Sequence, residues 1–226
     1  MVLDVAAGLA SKGVEESAVM TTQYRVSAPA AKTRATQGRR VLDLGCGSHK
    51  HPGAVGVDRN PRSQADVLAD LDAGKLPFRD GAFDEARLAH VIEHLRDVVA
   101  VMAEVYRVCK PGALVVVWTP HFSSIHSYTD PGHRQRLARG SMDQVRKDLA
   151  PACGLEILRK EVLFHHGPWS WPGRIIYRIS PNKYEKFFAF MFPARELVFE
   201  LRILKPGRPE LPSDGSWLRA EGNAKQ

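Results

Sequence analysis

The sequence predicts an α/β fold built on a mostly parallel sheet, and three observations carry that expectation. The apolar run Val41-Leu42-Asp43-Leu44 breaks into Gly45-Cys46-Gly47, as a buried strand does on entering a tight loop. A second short run, Ala54-Val55-Gly56-Val57, ends on Asp58, which leaves a carboxylate at a strand tip. From Arg39 to Lys110 strand patterns then alternate with helical ones, the signature of parallel strands joined by crossovers.

Each element follows in order. Residues 1–38, rich in Ala, Ser, Thr and Lys, read as an N-terminal arm in which Leu3–Leu9 has the pattern of a short helix. Between the first two strands only Ser48-His49-Lys50-His51-Pro52-Gly53 remains, so the first crossover helix is cut to a turn or less. A third strand is expected within Ala65–Asp72 and a fourth over Asp84–Ala89. Val98, Val101, Met102, Val105 and Val108 recur at helical spacing, and Lys110-Pro111-Gly112 stops that helix. Ala113–Trp118 reads as a central strand, Leu155–Leu163 as a further one, and the alternating Ala194–Lys205 as the last. Residues 165–192 form an aromatic and Pro-rich insertion, which serves either as a cover for the sheet or as a lid or membrane-touching face. Residues 206–226 have the composition of a flexible tail.

Composition bounds the function. The 226 residues fit one sizeable domain, 39–205, with extensions. No apolar run is long enough to span a bilayer, and the N-terminus lacks a secretory pattern. Cys46, Cys109 and Cys153 are widely spaced and odd in number, which suits small apolar residues in a reducing cytoplasm and not a disulfide framework or zinc module. The formal net charge of +7 permits an acidic partner. The excess is spread along the chain without an aromatic-interleaved basic stripe, so nucleic acid is the less favoured partner.

The glycine loop and the tip carboxylate together describe a nucleotide-like site. Gly45 and Gly47 let a ligand approach the backbone, and ionised Asp58 can accept from two ribose hydroxyls. A dinucleotide fingerprint would need a third glycine where Lys50 stands. VLDLGCG followed by GVD instead resembles the first two motifs of the class I S-adenosylmethionine-dependent methyltransferases. LPF…GAFD and EVYRVCKPGALVVV are similar to later motifs of that superfamily, with Ala113 replacing a glycine. The shortened crossover, TDPGHR and FPARELVFELRILK resemble its type 11-like bacterial and archaeal branch. The resemblance implies a Rossmann-like, seven-stranded sheet with flanking helices and an antiparallel last strand. It implies S-adenosyl-L-methionine as cofactor, surrounded by Asp43, Gly45, Cys46, Gly47, Asp58, Arg59, Asp70, Leu71 and His90. Asp43 would meet the positive end of the donor, and Asp70 with the Leu71 amide would meet the adenine. Taken alone, Asp70 reads as a helix N-cap or loop carboxylate; it is the ordered series of motifs that favours the adenine.

A helix beginning at His90 would set His90, Glu93 and His94 on one face beside the crevice. The set resembles the Glu-x-x-Glu-His of small-RNA 3′-terminal 2′-O-methyltransferases, which implies a divalent ion completed by a later histidine, and ubiquinone-pathway O-methyltransferases show a similar Glu-x-x-Glu-His. Here that residue would be His133, with His121 and His126 as alternatives. Having His90 in place of the first Glu lowers the anionic charge and suits zinc, iron or manganese better than magnesium. Without a metal, His90, His94 or His133 could act as a general base on a hydroxyl. The expected function is methyl transfer, at oxygen, to a small-molecule, glycan or lipid-linked acceptor. The alternatives are an RNA 2′-O-methyltransferase and a non-catalytic donor-binding protein. Peripheral membrane contact is compatible with this reading, and the oligomeric state is left open.

Overall fold

The computed structural model describes residues 38–150 and 152–205. The expected tail over 206–226, and all but the last residue of the expected arm over 1–38, lie outside the described residues.

Seven strands form one sheet: β1 (Val41–Leu44), β2 (Val55–Asp58), β3 (Val67–Leu68), β4 (Phe83–Ala89), β5 (Cys109–Pro120), β6 (Gly154–Phe164) and β7 (Ala194–Leu204). Their spatial order is β3-β2-β1-β4-β5-β7-β6. The first five strands are parallel, and β7 runs antiparallel to both neighbours. The last strand in sequence is therefore internal to the sheet. Leu42, Leu44, Val57, Leu88, Val115 and Val117 fill the core from the central strands. Strand β1 is buried along its whole length, as a strand covered on both faces is.

Helix α1 (Val98–Val108) starts where the Asp97 carboxylate accepts from the Ala100 amide, and it buries Val101, Met102, Val105 and Val108. The short α2 (His126–Thr129) follows β5, and α3 (Ser141–Leu149) packs against α1 and β6. The insertion between β6 and β7 folds as α4 (Trp171–Ile179), α5 (Pro181–Lys183) and a π-helical turn over Tyr184–Phe188.

No helix joins β1 to β2. Carboxylates hold that connection instead: Asp43 Oδ2 accepts from the His51 amide at 2.7 Å and Asp58 Oδ2 from the Gly47 amide at 2.8 Å. Asp66 accepts from the Gly56 amide at 2.7 Å and pairs with Lys50 at 2.8 Å. Among the described residues, no helix is long and apolar enough to cross a membrane. The three cysteines are free, and burial pushes the Cys109 thiol up to about 12, which leaves it inert.

Candidate active site

In an open α/β sheet, ligands bind at the carboxyl ends of the strands where the strand order reverses. Here β1 lies between β2 and β4, and its tip opens into a crevice of about 280 Å³. The loop after β1 leaves in a left-handed conformation at Gly45 (φ 67°), with the Gly45 amide donating to the Val57 carbonyl at 2.8 Å. A Cβ at Gly45 would lie 2.3 Å from Val91 Cγ2, so only glycine fits beneath the β4 loop. At Gly47 (φ 52°) a Cβ would meet nothing within 4 Å, so that backbone is open to a ligand.

Of the expected donor residues, Gly45, Gly47, Asp58, Arg59, Asp70, Leu71 and His90 line this crevice. Asp43 and Cys46 are buried behind it. Burial raises the Asp43 carboxyl pKa against the opposing pull of the His51 amide, and its role in the structure is to pin the loop. Cys46 packs its sulfur under Gly56, where a Cβ would come within 2.9 Å of Sγ. Asp58 spends one lone pair of each oxygen on the Gly47 and Asn60 amides, and each oxygen keeps a second for a ligand. Asp70 caps a 3₁₀ turn over Leu71–Ala73, with Oδ1 accepting from the Asp72 amide at 3.0 Å. Sequence reasoning missed Ala69, Asp72, Val91 and Leu95 in the lining.

The end of β4 differs from expectation. No helix begins at His90. That residue takes a left-handed φ of 53°, and the chain makes only a 3₁₀ turn over Ile92–His94. Three residues in such a turn cannot stack i, i+3 and i+4 on one face, so His90 stands apart from the metal-ligand grouping foreseen for it. Glu93, His94 and His133 do converge, each offering a ligand atom within 4.8 Å of the others. His133 arrives because the Glu93 carbonyl accepts from both the Arg134 and Gln135 amides, at 2.7 and 2.9 Å. The His94 and His133 rings meet edge to face at 4.6 Å. Neither alternative histidine is in this group. His121 is fully buried, with Nδ1 beside Ser123 and Nε2 on Glu185, and the His126 ring faces that of His165.

Glu93 is 2% exposed and its Oε2 accepts from Thr119 Oγ1 at 3.1 Å, while Oε1 and His133 Nδ1 are buried without a hydrogen-bond partner. Buried polar atoms normally have partners. Two orphans beside His94 make a carboxylate and two imidazoles whose donor set fits a divalent cation.

His90 is in contact with this group without belonging to it. Its Nδ1 lies 3.5 Å from Glu93 Oε1 and its Nε2 lies 4.0 Å from Glu196 Oε1. Burial opposes charge on this imidazole, but the neighbouring Glu93 and Glu196 carboxylates outweigh it and raise the pKa. Glu196, buried at the start of β7 and bound by Trp118 Nε1 at 3.0 Å, was not singled out from the sequence. Glu196 is one of two carboxylates in an alternating strand, which does not set it apart, and its meeting with His90 depends on the β5–β7 register.

A family model described as a methyltransferase domain matches residues 42–117. The 24-methylenesterol C-methyltransferase 2 of Arabidopsis thaliana is 30% identical over 35% of this chain and 28% of its own length. The ubiquinone/menaquinone biosynthesis C-methyltransferase UbiE of Desulfotalea psychrophila is 44% identical over 20% of this chain and 18% of its own. The chain thus spans less than a third of either relative. A solved structure of a putative methyltransferase from Bacillus halodurans C-125 superposes with a TM-score of 0.52 and 14% identity, over 73% of this chain and 92% of that one. Over residues 42–117 the chain is thus similar to a methyltransferase domain, and its fold is that of the superposed structure.

Proposed function

We propose that the protein transfers the methyl group of S-adenosylmethionine to an oxygen of a small, lipid-linked acceptor. The observation that carries the reading is the crevice at the β1 tip. There the Gly47 backbone, the Asp58 carboxylate, Asp70 and His90 face one space. Its chemistry suits the donor: an uncovered glycine backbone at Gly47 for the amino-acid end to lie against, a carboxylate for the ribose diol and a second for the adenine amine. The relatives support the lipid class of acceptor alone, since their names specify a methylenesterol and a ubiquinone/menaquinone pathway but transfer to carbon; the choice of oxygen rests on the histidines at the crevice.

The protein has little covalent work to do. The acceptor oxygen attacks the methyl carbon in line with the leaving sulfur. The S–CH₃ bond breaks with its electron pair kept on sulfur, and the O–CH₃ bond forms. Holding the two reactants at near-contact distance and excluding water supplies most of the rate. The hydroxyl proton must leave, and the crevice-lining His90 and His94 are the bases at hand. Glu93, His94 and His133 would hold a divalent ion, which supplies Lewis-acid activation of a hydroxyl when bound.

The test is calorimetry with S-adenosylhomocysteine, followed by turnover on hydrophobic hydroxylated acceptors. Donor affinity that Asp58→Ala leaves unchanged would overturn the site, and RNA-dependent turnover falling steeply with salt would overturn the acceptor class. Metal content is read separately, by elemental analysis of the native chain and of His133→Ala. An equal content in both removes the ion from the scheme.

A further inference from the structure

We infer that the insertion between β6 and β7 is a docking face for an anionic membrane surface. Helix α4 is inverted relative to an ordinary surface helix. It turns Gly173, Ile176 and Tyr177 inward, while Trp171, Ile175 and Ile179 follow one another at i, i+4 and i+8 on the outside. Ile179 is 80% exposed, and Trp169, just ahead of the helix, is 90% exposed. The next segment repeats the arrangement, with Phe187, Phe190 and Met191 all exposed.

This face is not a loose flap. Tyr184 is fully buried and its hydroxyl donates to the Phe192 carbonyl at 2.8 Å. A Cβ on Gly173 would lie 2.8 Å from that of Phe192, so α4 lies close against the underlying chain. Glu185 accepts from the Arg139 amide at 2.7 Å and meets His121 Nε2 at 3.2 Å. The apolar side chains are therefore held outward by a packed base.

Charge selects the partner. Within residues 165–192 there are four Lys and Arg and a single carboxylate, Glu185, which is engaged inward. Arg178, Lys183 and Lys186 stand exposed among the apolar side chains, with Lys186 Nζ 5.2 Å from the Phe187 ring centroid. Tryptophan and phenylalanine rimmed by cations match the headgroup region of a bilayer that carries anionic lipid. A second copy of the chain docking by the same face would bring like charges together, and the face has no outward carboxylate to offset them.

The placement gives the face a use. The insertion leaves from the end of β6 and returns at Ala194, two residues before the Glu196 that approaches His90. Phe122, just beyond β5, packs on Phe190 at 5.4 Å. The docking face thus belongs to the same end of the sheet as the crevice, where a lipid-linked acceptor would enter. The docking rests on the surface alone and does not depend on methyl transfer.

Co-sedimentation of the full chain with vesicles tests this, using phosphatidylcholine alone and phosphatidylcholine mixed with phosphatidylglycerol. The expected result is binding to the anionic vesicles, at least tenfold weaker binding to neutral ones, and release at high salt. Neutralising Arg178, Lys183 and Lys186 weakens binding by roughly fivefold per side chain. The pair Trp169→Ala and Trp171→Ala weakens it by about tenfold while S-adenosylhomocysteine affinity stays unchanged, since neither side chain lines the crevice. Three outcomes overturn the proposal: no sedimentation with either vesicle, sedimentation indifferent to both sets of variants, or a solution dimer that the tryptophan pair abolishes. Loss of donor binding in the native chain would instead overturn the enzymatic reading and leave this one standing.

Discussion

The glycine-loop wall of the crevice and the wall of side chains made by the insertion between β6 and β7 are built by opposite means. The glycine-loop wall is backbone, bent at Gly45 and Gly47 and clamped by side-chain carboxylates drawn from β1, β2 and the segment before β3. The insertion is side chain, a layer of aromatic rings on Tyr184 tied to the β5 loop through His121 and Glu185. At Gly45 the backbone wall tolerates no side chain, because an added Cβ runs into Val91, whereas at Gly47 the positive φ alone disfavours one. A side-chain wall has one demanding inner surface and one permissive outer one.

The largest effect expected is at the bend. Gly45→Ala combines a positive φ with a 2.3 Å clash on Val91, and it should destabilise the fold by about 3 kcal/mol in urea melts. Pairing it with Val91→Ala relieves only the clash, so recovery should be partial. Full recovery would show that backbone strain contributes nothing. Next comes Asp58→Ala, which removes a charge-assisted acceptor and should weaken S-adenosylhomocysteine binding by about thirtyfold, close to 2 kcal/mol. Asp58→Asn controls for loop collapse, because it keeps an acceptor oxygen for a backbone amide.

On the other wall, Glu185→Gln probes the inner surface. Burial pushes that carboxyl up, but the His121 hydrogen bond and the Arg139 amide outweigh it and hold the pKa below the ordinary 4.5. A depressed carboxylate stabilises the fold above its unfolded pKa and loses that contribution as pH falls through the folded value. Melting temperatures of native and Glu185→Gln chains should therefore differ by a constant amount above about pH 5 and converge in more acidic buffer. Parallel curves throughout would remove Glu185 from the anchor. The smallest effect belongs to the outer surface. Trp169→Ala should change stability by less than about 0.5 kcal/mol by urea titration, since the ring is 90% exposed.

The same contrast explains what could be read from the chain. Glycines at fixed offsets, tip carboxylates and the Val98–Val108 periodicity are local signals, and the strands, the shortened crossover and α1 are where those signals put them. The convergence of His133 on Glu93 and His94 was legible only as one option among three histidines, because it depends on backbone bonds from Arg134 and Gln135. The turn at His90 was not legible. A positive φ at a non-glycine residue is imposed by what surrounds it, here the Trp118 carbonyl that takes the His90 amide at 2.8 Å and the packing of β4 beside β5. Glu196 was hidden for the same reason, since a register spanning 78 positions brings it to Trp118.

The missing crossover helix has a consequence for how the molecule softens. A helix would lock the first loop with a ladder of main-chain bonds that melts cooperatively with the sheet. In its place the loop is fastened by three acid side chains at a partly exposed edge, each releasable by itself. Hydrogen exchange at the Gly47, His51 and Gly56 amides should then run ahead of the β1 and β4 amides, so that the nucleotide cradle slackens while the rest of the fold stays whole.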